Sequence, residues 1–97
     1  MEDRVTGERL NRYFRLTEEA VKTVRIAAAK KGKLYPLAED MLDMARNYLS
    51  DAGHFAAEGK IVDAFACLNY AYGWIDAGAR LGLFEVGEDY RRFTLGR

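Results

Sequence analysis

The segment from Lys60 to Leu81 constrains the fold more than any other, because it has helical spacing yet is apolar around most of its circumference. At about 100° per residue, Phe65, Leu68, Tyr72, Ile75 and Ala79 form one apolar face. The reverse side continues it through Cys67, Tyr70, Ala71, Trp74, Ala77 and Gly78, leaving only a narrow polar wedge of Asn69, Gly73, Asp76 and Arg80. A helix apolar nearly all round has to be buried nearly all round. Two neighbouring helices do not enclose a third, so the pattern predicts a further cover over the Tyr70/Trp74 side. The C-terminal tail, residues 83–97, is the expected lid, since it brings Leu83, Phe84, Val86, Tyr90, Phe93 and Leu95; a second chain is the other candidate.

The single proline and three glycines divide the rest of the chain. An amphipathic block runs from about Glu8 to Lys31, with Leu10, Phe14, Thr17, Val21, Val24 and Ala28 in one stripe. Lys30 and Lys31 favour the negative end of the helix dipole, and Gly32 is placed for a left-handed cap. A second block runs from about Pro36 to Glu58 and starts where a proline is best tolerated. Leu37, Met41, Met44, Ala45, Tyr48, Ala52, Phe55 and Ala56 share its apolar face. Gly59 leaves so short a joint before the third block, at 60–81, that blocks two and three form an antiparallel hairpin. Three rods of nearly equal length joined by short turns predict one all-α domain, an antiparallel up-down-up three-helix bundle with a packed C-terminal tail. No strand-like alternation appears before residue 83.

Charge chooses the neighbours. Residues 1–33 carry nine basic and five acidic side chains, residues 34–59 carry one and five, and the remaining residues carry five of each. Blocks one and two neutralise each other when packed side by side, although each exposed pair contributes only about 0 to 1 kcal/mol. The overall balance of fifteen against fifteen supplies no field that draws the chain to polyanions. One cysteine, Cys67, excludes an internal disulfide and a paired-cysteine zinc site, and fits a reducing cytoplasm. Neither a membrane-length apolar run nor a secretory leader is present.

Gly73, Gly78 and Gly82, in and just after the third block, have separate reasons. Gly73 and Gly78 each cost about 1 kcal/mol relative to alanine, which predicts a backbone approaching too closely for a β-carbon. Gly82 stands where the helix stops, with Leu83 placed for the hydrophobic contact of a glycine cap.

The candidate polar pocket is Asn69, Asp76 and Arg80, with Asp76 and Arg80 four apart and therefore expected to pair within the helix. The candidate packing or partner surface is Tyr70, Gly73, Trp74, Gly78 and Phe84. His54, flanked by Asp51 and Glu58, reads as part of a solvated acidic face rather than a metal site. Block one offers Arg12, Arg15, Lys22 and Arg25 as an RNA-facing stripe, interrupted by Glu8, Glu18 and Glu19, which pair with Arg12, Lys22 and Arg15 as ordinary surface salt bridges. Neither a nucleophile–base grouping nor a phosphate-cradling glycine loop is recognisable, and no cofactor is expected.

The run "YLSDAGHFAAEGKIVDAFACLNYAYGWIDAGARLGLFEV", residues 48–86, closely resembles the archaeal domain-of-unknown-function 357 family. The resemblance rests on Tyr48, Asp51, Ala52, Phe55, Gly59, Ala64, Phe65, Asn69, Tyr70, Ala71, Gly73, Asp76, Ala77, Gly78, Arg80, Leu81, Gly82 and Phe84. It implies a small helical bundle from an archaeal cytoplasm and supplies no reaction or catalytic residue. Related domains accompany nucleotidyltransferase-like proteins, which suggests a partner only. The function expected is a non-catalytic interaction or accessory module working through helix three and the tail, its partner another protein or a second copy of the chain. The alternative is a nucleotide- or RNA-associated domain whose Arg80 and block-one arginines meet phosphate. An enzyme with Asp76 as acid or base is the third.

Overall fold

A computed structural model of the chain describes residues 6–87. It contains three α-helices, α1 (Gly7–Thr23), α2 (Tyr35–Ala57) and α3 (Ile61–Arg80), and a two-stranded antiparallel ribbon of β1 (Arg25–Ile26) and β2 (Phe84–Glu85). The helices pack as an all-α bundle. α2 and α3 share the most extensive contact, and α1 lies mainly against α3.

Thr6 starts α1 by accepting the Arg9 N–H through its hydroxyl at 3.1 Å. The helix stops at Thr23, well short of the expected Lys31, and the backbone turns extended at Val24. The β-branched residues Thr23, Val24 and Ile26 favour that change. Nonlocal pairing fixes it: Arg25 registers with Glu85, Ile26 with Phe84, and the Ala27 N–H donates to the Leu83 carbonyl at 2.7 Å. Lys30, Lys31 and Gly32 therefore sit in the exposed connection to α2 and cap no helix.

The other two helices end as glycine chemistry dictates. After α2, the Lys60 N–H donates to the Phe55 carbonyl at 2.9 Å and the Gly59 N–H to Ala56 at 3.0 Å, with Gly59 at φ +76°. After α3, Leu83 donates to Gly78 at 2.9 Å and Gly82 to Ala79 at 3.1 Å, with Gly82 at φ +78°. Both are paired six-to-one and five-to-two caps that need a left-handed residue. The first sends the chain back as α3. The second sends it into β2.

The core has two parts. Around the ribbon, Ala20, Val21, Val24, Met41, Leu42, Tyr72, Ile75, Leu83 and Phe84 are buried together, with Trp74, Ile26 and Val86 packed against them. At the opposite end, Leu10, Ala52, Ala64 and Leu68 form a smaller cluster rimmed by half-buried rings, including an edge-to-face contact of Tyr13 with Phe65 at 4.9 Å. Phe65 and Ala79, expected in the core of α3, are only half-buried.

Alanine lines the α2–α3 seam. Ala38, Ala45 and Ala52 recur every seven residues on α2, as do Ala64, Ala71 and Gly78 on α3, and all six are buried. In the α2–α3 hairpin these two series of small residues lie on the buried faces of the two helices. Small residues facing small residues let the two backbones approach closely. Of the expected face of α2, Met41, Ala45 and Ala52 are buried and Met44, Tyr48, Phe55 and Ala56 half-buried, whereas Leu37 is 48% exposed and Ala38 and Leu42 are buried in addition. Among the described residues one polar side chain is sealed in: Thr17 has no exposure, and its hydroxyl finds no hydrogen-bond partner there.

Candidate functional site

The outer half of α3 carries the residues singled out from sequence. Asp76 and Arg80 lie one helical turn apart, and the Arg80 Nε donates to both Asp76 carboxylate oxygens at 3.2 Å. The Asp76 side chain is 23% exposed and that of Arg80 63%, so the pair belongs to the surface and contributes about 0 to 1 kcal/mol. Asn69 is exposed, two turns earlier on the same line. The three share one edge of α3, and only Asp76 and Arg80 touch.

The second group divides. Gly78 is buried, and a β-carbon there would run into the Phe84 ring, so the close neighbour is an aromatic side chain and not the expected backbone. Phe84 is itself buried on the ribbon, which makes the start of the tail a lid over the C-terminal end of α3. Gly73 behaves differently: it is exposed, and among the described residues nothing lies within 4 Å of where its β-carbon would be. The expected close approach at that position is not made among the described residues.

Trp74 is half-buried against the larger core cluster. Tyr70 is 61% exposed and is flanked on one side by the Tyr48 ring of α2, at 5.2 Å between centroids. The described part of the tail, through Gly87, packs near Gly78 and leaves Tyr70 open. Tyr90, Phe93 and Leu95 lie outside the described residues.

Tyr70 does not stand alone. Val62 at 71% and Leu81 at 68% are exposed on the same side, and Ala66, Gly73 and Ala77 fill the intervals between them. Val62, Ala66 and Leu81 were missed because sequence patterning assigns apolar helix positions to a core. The signal available was their return at four, four, three, four and four residues on the side opposite Leu68 and Ile75.

Elsewhere the chemistry is sparse. Glu18 pairs with Lys22 at 4.0 Å on the exposed face of α1, and Arg46 with Asp43 at 3.5 Å on α2. His54, Asp51 and Glu58 are exposed on α2, and among the described residues no group of three or more His, Cys, Asp or Glu side chains is placed to hold a metal ion. A hollow of about 300 Å³ on α1 is lined by Asn11, Phe14 and Arg15, away from Asp76. Cys67 is half-buried beside the smaller core cluster; burial, then the charges of Asp51 and Asp63, raise its thiol pKa above the ordinary value. No helix among the described residues is long and apolar enough to cross a membrane.

A family model described as "Protein of unknown function (DUF357)" matches residues 12–84, and the chain belongs to that family. No curated protein and no solved structure matches it.

Proposed function

We propose that this member of the DUF357 family is a non-catalytic interaction module that meets a protein partner through the outward face of α3. The observation that carries the reading is the exposed apolar series Val62, Ala66, Tyr70, Gly73, Ala77 and Leu81, which runs the length of a helix whose other side buries Ala64, Leu68, Ala71, Tyr72, Ile75 and Gly78. Contiguous exposed apolar surface marks interaction sites more often than scattered single residues do. The polar edge of Asn69, Asp76 and Arg80 then serves as a rim that orients the partner, in keeping with interfaces that place charge around an apolar centre. Phosphate binding through Arg80 and the arginines of α1 draws less support, since Arg80 is already engaged by Asp76.

The test is photo-crosslinking in cells with a benzophenone amino acid at Ala77, on the outward face, and at Glu39, exposed on α2. A discrete protein adduct from position 77 and none from position 39 is the expected outcome. Equal, diffuse labelling from both positions, or none from 77, would remove the reading.

A further inference from the structure

The connection between β1 and α2 brings positive charge and exposed apolar side chains together. From Ala20 to Ala38 the sequence has five cations and no acid, so the even charge balance of the whole chain does not hold along this stretch. Two consecutive tight turns fold its second half into a compact tip: the Gly32 N–H donates to the Ala29 carbonyl at 2.8 Å, and the Tyr35 N–H to the Gly32 carbonyl at 3.3 Å. Lys30, Lys31 and Lys33 are exposed there, and among the described residues none of the three makes an ion pair. The acids closest in sequence, Glu39 and Asp40, come later, on α2, and Glu85 stands opposite Arg25 in the ribbon.

Charge is half of the pattern. Leu34, the residue before α2, is 55% exposed, and Leu37, three residues on and therefore on the same side, is 48% exposed. The buried face of α2 begins at Ala38 and Met41, which leaves both leucines at the surface. A nucleic acid would use the lysines and leave the leucines in water. An anionic lipid surface uses both: the ammonium groups meet phosphate headgroups, and the leucines enter the boundary with the acyl chains. Lysine suits that depth, because its stem lies along apolar surface while its charge stays among the headgroups. No helix among the described residues is able to cross a membrane, and attachment of this kind needs none.

We propose that this tip attaches the protein reversibly to anionic lipid surfaces, with Lys30, Lys31 and Lys33 on the phosphate headgroups and Leu34 and Leu37 inserted between them. The tip and the outward face of α3 belong to different elements, so either contact can be lost without the other.

Co-sedimentation of the full chain with vesicles of phosphatidylcholine mixed with phosphatidylglycerol, at low ionic strength, tests it, with phosphatidylcholine alone as the neutral control. Binding to the anionic vesicles and none to the neutral ones is expected, weakening as salt is raised. Lys30→Gln, Lys31→Gln and Lys33→Gln combined should weaken binding about a hundredfold, at about fivefold per cation. Leu34→Ser with Leu37→Ser keeps every charge and should weaken it about tenfold. Leu34 makes no side-chain cap to lose, and serine is well suited to the start of a helix, so the fold survives, as helical circular dichroism will show. Absence of binding to the anionic vesicles overturns the proposal, and does so equally where a short single-stranded RNA or polyglutamate binds the lysines instead. Binding that ignores the serine pair also overturns it, since charge alone then suffices, as does equal binding to neutral vesicles.

Discussion

On its inward side α3 presents Ala64, Ala71 and Gly78, and on its outward side Ala66, Gly73 and Ala77. The inward three are buried, and Gly78 lies under the ring of Phe84. The outward three are exposed between Val62, Tyr70 and Leu81. Small side chains therefore do different things on one helix. Inside they set how closely two backbones approach; outside they leave room beside large apolar groups that nothing in the described chain covers. A helix can be apolar nearly all round and still be closed on one side only.

The contrast is broken most severely by enlarging one residue on each side. Ala71→Leu forces a large side chain into the α2–α3 seam, where Ala71 has no exposure, and should cost about 2 to 3 kcal/mol. For a domain of this size that lowers Tm by about 10 °C or more. Ala66→Leu on the outward face should stay within about 0.5 kcal/mol of wild type. Thermal unfolding of the two variants decides the point. Equal losses would mean that the outward face is packed after all.

Two glycine substitutions sharpen the same contrast because their expected signs differ. Gly78→Ala pushes the Phe84 ring off α3 and loosens β2, for a net cost of about 1 to 2 kcal/mol after the gain in helix propensity. Gly73→Ala meets nothing and should stabilise the chain by up to about 1 kcal/mol. Urea denaturation reads both. Adding Phe84→Ala to Gly78→Ala should then cost less than the sum of the two single changes, since they act on one contact.

Much of this arrangement is legible in the sequence, and the parts that are not have identifiable causes. Gly59 and Gly82 end their helices by local chemistry, a left-handed residue followed by two backbone hydrogen bonds, so the sequence announces them. The end of α1 is set by pairing with residues 84–85, about 60 positions away, and local helix propensity across Ala27–Ala29 yields to it. The face of α2 is legible at Met41, Ala45 and Ala52 and fails at its start, because apolar periodicity weighs leucine above alanine, whereas the packing buries Ala38 and turns Leu37 outward. At the candidate site, the Asp76–Arg80 pair follows from spacing alone. The difference between Gly73 and Gly78 does not, since it depends on where the Phe84 ring comes to rest.

A third, smaller effect tests how tightly the inward side is closed. Thr17 is sealed in the interior with an unpartnered hydroxyl, so Thr17→Val keeps the shape, removes the unsatisfied group and should stabilise the chain by about 1 kcal/mol. Valine and threonine have similar helix propensities, so the gain is attributable to the hydroxyl. A loss of stability in urea denaturation would show that the hydroxyl has a partner in solution and that the interior there is more open.

Cys67 lies where the inward and outward sides of α3 meet, half-buried between Asp63 one turn before it and Tyr70 three residues after. Its thiol pKa is raised first by burial and then by Asp51 and Asp63, each of which disfavours the thiolate. Only the thiolate is nucleophilic, so alkylation by iodoacetamide near neutral pH should be slower in the folded chain than in the same chain unfolded in urea. Linkage fixes the sign of the stability effect. The folded thiol holds its proton to higher pH than the unfolded one, so its contribution is fully present below the unfolded pKa and is lost as pH rises through the folded value. Asp63→Asn removes one of the two carboxylates, lowers the thiol pKa and should speed alkylation modestly without changing exposure. If wild-type Cys67 reacts as fast as the unfolded thiol, the boundary between the two sides lies deeper in the bundle than Cys67, and the outward face is wider than the six residues assigned to it.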